Sequence, residues 1–216
     1  MIAPSSHTAI PALWCFAGGA RVLIHVVTDI ETDGPDPGIH SMISLAAVAC
    51  DETGARLSHL ALNLEPIPGH AADPGTMAWW ATEPEAWAAT LSNRLPPAEA
   101  IARYVAWVRG LGGTPVFAAY PLIFDGAWVD WYLRRYASLR LLTAPRSTET
   151  LFLGGGLDIA SFALGRTRLD YDSLTRKSFP DTWLGGYPHS HIALDDAEGY
   201  AHLLGTLLRD AGEGRR

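Results

Sequence analysis

The first regular pattern along this chain consists of three apolar runs that are typical of β-strands. Residues 22–27 (VLIHVV) are mostly β-branched, as is typical of a buried strand. Similar runs occupy residues 41–49 and 56–64, with the turn-forming residues 51–54 (DETG) between them. The pattern therefore predicts a three-stranded meander over 22–29, 41–49 and 56–64.

Helical periodicity follows the meander. The stretch 97–110 begins at a proline pair and places apolar residues on one face. A strand is predicted over 115–119, a helix from Ala127, and a last helix over 193–210. This order predicts an α/β fold in which a mixed β-sheet is flanked by α-helices. A length of 216 residues suits one domain with a sizeable core.

Polar residues appear where the first strand is predicted to end, in the segment 28–34 (TDIETDG). Side chains two apart in a strand point to the same face, so Asp29 and Glu31 are expected to project together. A turn after a strand is also rich in Asp, Thr and Gly, so this segment alone is compatible with an ordinary turn.

Another carboxylate, Asp125, follows Phe124 and precedes the predicted helix that starts at Ala127. Because aspartate is favoured immediately before a helix, Asp125 by itself fits a plain N-cap.

The last helix combines an apolar face with an acidic residue. Its predicted inward face consists of Ala193, Ala197, Tyr200, Leu204 and Leu207. Asp196 lies on that face, where a carboxylate is costly to bury unless a cation or hydrogen bonds compensate. His191 stands five residues earlier. Acidic residues in the first turn of a helix also interact favourably with the helix dipole. This interaction explains the acidic residues without a metal ion, but it does not explain the position of His191.

Taken together, these segments resemble the DEDDh family of 3′-to-5′ exonucleases. Asp29 and Glu31 match the first motif of that family, and Asp125 matches the second. The third motif matches residues 191–196 (HIALDD), with the spacing of His191 and Asp196 that marks the histidine subclass. The motifs occur in family order, and the resemblance implies an RNase H-like fold from about residue 22 to residue 208.

The resemblance implies hydrolysis of phosphodiester bonds with two divalent ions. Asp29 would contribute to both ions, Glu31 and Asp196 would complete the one that activates the nucleophile, and Asp125 would help to hold the other. His191 would be the general base, and the product a nucleoside 5′-monophosphate. Carboxylate oxygens suit Mg²⁺ or Mn²⁺, and the sequence has no Cys/His cluster of the kind that binds structural zinc.

Candidate substrate contacts are less well defined. Pro121 occupies a position where many members of the family carry asparagine, so the contact that this asparagine makes would be absent here or supplied by Tyr120. The further candidates are Thr32, Trp80 and Phe124. Eight tryptophans are many for this length. The pair at 79–80 could stack on bases, although packing in the core explains it equally well.

The net charge of −7 disfavours a tight grip on long nucleic acid. Two basic clusters are present, and the second could guide the phosphates of a strand towards His191. The first comprises Arg134, Arg135, Arg140 and Arg146, and the second Arg166, Arg168, Arg176 and Lys177. The expected partner is a single-stranded RNA or DNA 3′ end. Which polymer is preferred is left open, as is a homodimer.

Alternatives to this exonuclease are an oligoribonuclease that acts on very short RNA, and a nucleic-acid-binding subunit with an idle site. A structural module whose acidic residues are only caps is a third. Failure to bind Mn²⁺ would favour that module. An intact set of four carboxylates and one histidine favours an enzyme, because a binding protein has no need to place His191 five residues before Asp196.

Residues 1–20 fit neither the domain nor a signal peptide, because they lack positive charge and a long apolar run. They are expected to form a disordered extension or to result from a start codon placed too far upstream, with the domain over 21–210 and a tail over 211–216. The two cysteines, Cys15 and Cys50, provide no disulfide framework and fit a reducing cytoplasm.

Several other polar residues have simpler explanations. His25 and His59 lie inside predicted strands and suit packing or surface positions. His189 could compete with His191 as a base, but only His191 has the motif spacing. Asp33 and Asp195 are interpreted as solvated neighbours or caps, and Asp158 as a helix-start residue or a group that supports the site.

Overall fold

A computed structural model describes residues 22–143, 149–167 and 169–213, with the side chains of 210–213 excluded. The predicted extension 1–20, Cys15, Arg146 and Arg168 lie outside these residues. The strands are β1 Leu23–Thr32, β2 Met42–Cys50, β3 Arg56–Asn63, β4 Thr114–Ala119 and β5 Leu157–Asp158. The helices are α1 Pro74–Trp80, α2 Pro84–Thr90, α3 Pro97–Arg109, α4 Leu122–Ala137, α5 Ile159–Arg166 and α6 Ala193–Glu213. Three short 3₁₀ segments, Tyr171–Ser173, Arg176–Ser178 and Asp181–Leu184, lie between α5 and α6.

The described strands form one mixed sheet with the order β3-β2-β1-β4-β5. The first three strands pair antiparallel, so the predicted meander is confirmed. β4 and β5 run parallel to β1 on its other side. Pairing between β1 and β4 ends at Val27 and Ala118, whereas pairing between β1 and β2 continues to Thr32. One edge of β1 is therefore open over the residues that carry the first acidic motif.

Each face of the sheet has its own apolar core. Helices α3 and α4 cover one face, where Ile24 and Val26 of β1 pack with large aromatic residues such as Tyr104 and Trp128. Helices α5 and α6 cover the other face, where Val27 packs with smaller residues. Side chains two apart in a strand share a face, so Asp29 and Glu31 project, like Val27, to the α6 side. This places the sheet carboxylates beside the last helix.

Helix α6 confirms the pattern predicted for the end of the chain. The residues of its predicted inward face, Ala193, Ala197, Tyr200, Leu204 and Leu207, are all buried in the core shared with Val27. Asp196 is buried on the same face. The helix extends to Glu213, three residues beyond the predicted 210. No helix of the described residues is both long enough and apolar enough to cross a membrane.

The start of α4 was predicted wrongly. The helix begins at Leu122, with Pro121 as its N-cap, rather than at Ala127. Proline provides no side-chain cap, and the first amide of the helix, that of Leu122, instead donates to Asp158 Oδ2 at 2.9 Å. Asp125 is thus a residue of the first helical turn and not an N-cap. The capping carboxylate comes from a residue 36 positions away, which local sequence does not reveal.

Two short helices, α1 and α2, were not predicted. Both begin with proline at the first helical positions, and Asp73 caps α1 by accepting the amide of Thr76 at 2.7 Å. They form a small apolar cluster over Ile43, which Ile192 also contacts. The cluster joins the region after β3 to the segment just before α6.

Candidate metal centre and active site

The first two carboxylates lie on the open edge of β1. Asp29 pairs with Ala46 and Glu31 with Ser44 on β2, and both side chains are half-buried. A register shift follows Glu31, so the regular strand ends just beyond the pair. Small partners on β2 and small residues on α6 leave room for two carboxylates on this face.

Asp125 approaches the same stretch of β1 from α4. Its Oδ1 accepts the amide of Ile30 at 3.2 Å, an amide that lies beyond the last residue paired with β4. Asp125 therefore satisfies a backbone donor on the open edge and is itself buried. This bond fixes the carboxylate between Asp29 and Glu31 along the chain.

Asp196 completes the acidic set from α6. One carboxylate oxygen from each of Asp29, Glu31 and Asp196 lies within 4.8 Å of the other two. Asp125 is outside this group of three but interacts electrostatically with Asp29 and Glu31. The structure thus brings the four sequence-predicted carboxylates into one neighbourhood, three of them close together.

The cluster strongly disfavours full ionisation. Burial, together with the charges of Asp125, Glu31 and Asp196, raises the pKa of Asp29 well above its ordinary value. Burial and the charges of Asp196 and Asp125 raise the pKa of Glu31 to about 9. Burial also raises the pKa of Asp125 to about 8, against the hydrogen bond from the Ile30 amide. Four carboxylates are held together at a cost in free energy that a cation would offset.

These residues fit a divalent metal ion by their donor chemistry. Three oxygen donors converge, each from a different position of a rigid sheet or helix, and a fourth carboxylate lies beside them. Hard oxygen donors of this kind suit Mg²⁺ or Mn²⁺.

Two histidines border the cluster, and they differ in their contacts. His189 Nδ1 lies 3.0 Å from both carboxylate oxygens of Asp196. His191 is half-buried with a positive φ of 56°, and its ring meets the Trp79 ring edge-on at 4.8 Å. The two imidazoles are 4.3 Å apart. Burial, and then the proximity of His189, lower the pKa of His191, which keeps it neutral at pH 7.

Arg176 is the residue of this site that the sequence did not identify. It was assigned to the basic cluster that could guide the phosphates of a strand, but its side chain is only 9% exposed. Its Nη1 lies 3.8 Å from Asp196 Oδ1, and the guanidinium lies 5.0 Å above the Tyr200 ring. The other basic residues described in that cluster, Arg166 and Lys177, are exposed. This contact cannot be predicted from local sequence, because Arg176 lies 20 positions before Asp196 and the segment between them is largely irregular.

The tryptophan pair divides between core and surface. Trp80 is 1% exposed and its Nε1 donates to the carbonyl of Thr32 at 2.9 Å, so the prediction that it contacts substrate is wrong and the core-packing alternative holds. Trp79 is 39% exposed and faces His191. Thr32 is buried, and its hydroxyl donates to the Gly34 carbonyl at 2.8 Å, which leaves it engaged within the loop.

The remaining substrate candidates lie at the start of α4. The Tyr120 ring stacks on Tyr200 at 4.7 Å, and its hydroxyl donates to the Leu174 carbonyl at 2.7 Å. The donor of this hydroxyl is therefore engaged within the protein, which leaves only its acceptor lone pairs for a contact in place of the asparagine. Phe124 is 39% exposed next to Asp125 and is free to contact a ligand.

Other polar residues have structural roles. Asp33 is buried, not solvated, and accepts the amide of Ser41. Asp195 accepts from the Ser190 hydroxyl at 2.8 Å. Asp158 caps α5 through the amide of Ser161 while its second oxygen caps α4, so it both starts a helix and supports Asp125. His25 is buried and His59 exposed.

The first basic cluster is largely paired with one acid. Arg134 and Arg140 both contact Asp130, at 3.0 and 3.3 Å, and with Arg135 they form an ordinary exposed face on α4 and beyond.

Comparisons with known proteins identify similar folds. No family model matches the chain, and no curated protein does. One similar solved structure is a 3′-exonuclease recognising the 3′ end of a histone mRNA stem-loop, with 10% identity, a TM-score of 0.62, and coverage of 89% of this chain and 84% of that one. Another is the nuclease domain of 3′hExo, a DEDDh family member bound to rAMP (10% identity, TM-score 0.61, 87% and 92% coverage).

A third similar structure is the zinc-bound complex of E. coli exonuclease I with single-stranded DNA (17% identity, TM-score 0.61). It matches 89% of this chain, which spans only 41% of exonuclease I. At sequence identities as low as these, the structural similarity shows a shared fold only. The chain has the RNase H-like fold of the DEDDh 3′-exonucleases, and the predicted fold class is confirmed.

Proposed function

We propose that this protein is a metal-dependent 3′-to-5′ exonuclease that removes nucleoside 5′-monophosphates from single-stranded nucleic acid. The observation that carries the proposal is the convergence of Asp29, Glu31 and Asp196 to within 4.8 Å in a fold shared with DEDDh 3′-exonucleases. The full set also contains Asp125 and His191. A fold alone does not define an activity, but a fold with this donor set at this place does support one.

Asp29, Glu31 and Asp196 would hold one divalent ion, Mg²⁺ or Mn²⁺, and Asp29 with Asp125 would hold a second. When bound, such ions stabilise charge on the attacking and leaving oxygens of the phosphodiester and favour ionisation of water. The raised pKa values of Glu31 and Asp125 mean that binding must displace protons, so affinity for metal rises with pH.

His191 would accept the proton of the attacking water. Its lowered pKa keeps the imidazole neutral and able to accept a proton at pH 7. Trp79 packs edge-on against the ring and limits its orientations. His189, held on Asp196, would orient that ligand instead of acting as the base.

The substrate would approach between two exposed aromatic residues. Trp79 borders His191, and Phe124 precedes Asp125, so both are placed to stack on bases beside the carboxylates. The net charge of −7 suits a short single-stranded end instead of a duplex.

The test uses 5′-labelled single-stranded RNA and DNA of equal sequence, with Mn²⁺ and products resolved at single-nucleotide steps. We expect a ladder that shortens from the 3′ end, is lost in EDTA, and is lost in Asp29→Ala. The faster polymer defines the substrate class. Ladders only on chains of two to five nucleotides would indicate an oligoribonuclease. Binding of either polymer without cleavage in Mn²⁺ or Mg²⁺ would contradict the proposal and indicate an idle binding subunit.

A further inference from the structure

Arg176 is a buried cation for which the proposed chemistry assigns no role. Its side chain is 9% exposed, in the 3₁₀ segment Arg176–Ser178. Burial of a guanidinium is costly unless its donors are satisfied and a negative charge lies near. Its partners therefore indicate what the residue does.

Two of those partners belong to the segment that leads to the histidines. Nη2 of Arg176 donates to the carbonyls of Tyr187 and Pro188, at 2.9 and 3.0 Å. These carbonyls belong to the residues directly before His189. The two hydrogens of this one nitrogen can hold both carbonyls at once, which fixes the path of a backbone that has little regular structure of its own.

The remaining partner is the carboxylate cluster. Nη1 lies 3.8 Å from Asp196 Oδ1, too far for a hydrogen bond, and has no hydrogen-bond partner among the described residues. The guanidinium also lies above Tyr200, one helical turn after Asp196. Arg176 thus joins the histidine segment to the metal-ligating helix through one rigid group.

Helix α6 is shaped to admit this group. A Cβ at Gly199 would lie 2.8 Å from Nη2 and 2.9 Å from Nη1 of Arg176, closer than real contacts allow. Glycine inside a helix lowers its intrinsic stability, so its place here is accounted for by the space that the guanidinium needs.

We propose that Arg176 is a positioning residue that holds the 187–191 segment, and with it His189 and His191, in register with Asp196. This inference rests on the proposed exonuclease activity. In this role Arg176 acts through the two carbonyls and the Asp196 carboxylate, not through the substrate. Groups that orient metal ligands or bases in this way typically contribute about 10- to 100-fold to activity.

The test compares Arg176→Gln, Arg176→Lys and Gly199→Ala with wild type, and with Arg103→Gln as a control. Arg103 is an exposed arginine of α3 paired with Glu99, so this control removes one positive charge far from the site. We expect Arg176→Gln to lower kcat about 10- to 100-fold with little change in KM. Arg176→Lys keeps the positive charge but not the planar guanidinium, so its kcat should lie between those of Arg176→Gln and wild type. Gly199→Ala keeps the arginine, but the added methyl group displaces the guanidinium. This variant should therefore also have a lower kcat.

A second readout is independent of activity. Histidine side-chain NMR spectra of the metal-free proteins should show shifted His189 and His191 signals in all three site variants, with the exposed His59 as an unshifted reference. If Arg176→Gln does not fold, Arg176→Lys and Gly199→Ala provide the test. Variants that are only less thermostable, with unchanged kcat and unchanged histidine signals, would overturn the inference. If wild type itself cleaves neither polymer, the proposed function fails, while the NMR comparison still decides whether Arg176 holds the segment.

Discussion

The carboxylates and the histidines meet at one site, but different kinds of backbone carry them. Asp29 and Glu31 lie on a central strand, and Asp125 and Asp196 on two helices that pack against opposite faces of the sheet. His189 and His191 lie on an irregular segment in which His189 is exposed and His191 half-buried.

This difference separates two tasks. The sheet and helices hold like charges together against their repulsion, which only a rigid scaffold can do. The histidine segment depends on side-chain ties: Trp79 packs against His191, Ile192 joins the α1–α2 cluster, and Arg176 binds the carbonyls before His189. Isosteric substitutions in the acidic set should therefore abolish chemistry with the fold intact, and those in the histidine segment should give graded losses.

The largest effect is expected for Asp29→Asn. The substitution removes the ligand that faces the other three carboxylates, so we expect activity to fall by more than about 10⁴-fold. Since it also removes a like charge, the metal-free variant should be at least as thermostable as wild type. Steady-state cleavage and thermal melts measure the two effects. Asp36→Asn, at an exposed aspartate of the loop after β1, is the matched control. A variant that loses activity only because it unfolds would contradict this division of tasks.

The effects of substituting the two histidines should differ by about one to two orders of magnitude. His191→Gln should lower kcat about 10³-fold, within the range of a positioned general base. His189→Gln should cost about 10- to 100-fold, because His189 orients Asp196 instead of taking the proton. Single-turnover rates at saturating Mn²⁺ measure both. The reverse order of effects would assign the base to His189.

The neighbouring tryptophans allow a smaller comparison. Trp79→Ala should raise KM for single strands by about 10-fold while the fold stays intact, since stacking contributes about 1–3 kcal/mol per base. Trp80→Ala should instead lower the free energy of unfolding by about 3–5 kcal/mol, because the ring is buried. KM values and urea titrations distinguish the outcomes. Equal KM values in Trp79→Ala and wild type would remove Trp79 from the substrate path.

The sequence predicted the rigid half of this site better than the other half. Alternation along β1 placed Asp29 and Glu31 on one face, and helical periodicity placed Asp196 among the inward residues of α6, because both follow from local geometry. The start of α4 was missed because its cap, Asp158, is distant in sequence. Arg176 was missed for the same reason: no local pattern in a run of 3₁₀ turns indicates which arginine becomes buried. His191 was found only through its motif spacing.

The smallest effect concerns stability and pH. The pKa of Glu31 in the folded, metal-free protein is about 9, above the ordinary 4.5, so between these values the folded state binds more protons than the unfolded state. The free energy of unfolding must then fall as pH rises from about 5 to 9. Glu31→Gln removes one such group, so the melting temperature of this variant should fall less than that of wild type between pH 5 and pH 9. We expect its melting temperature to exceed that of wild type at pH 9 and to show no such gain at pH 5.

Mn²⁺ should reverse the trend in wild type, because the ion binds the ionised carboxylates of the folded state and raises its melting temperature most at high pH. The same addition should have less effect on Glu31→Gln, which lacks one ligand. Thermal melts of wild type and Glu31→Gln, each in EDTA and in Mn²⁺ at pH 5, 7 and 9, measure these effects. Parallel pH profiles for wild type and variant in EDTA would mean that burial and the charges of Asp196 and Asp125 do not raise the pKa of Glu31 in the folded protein.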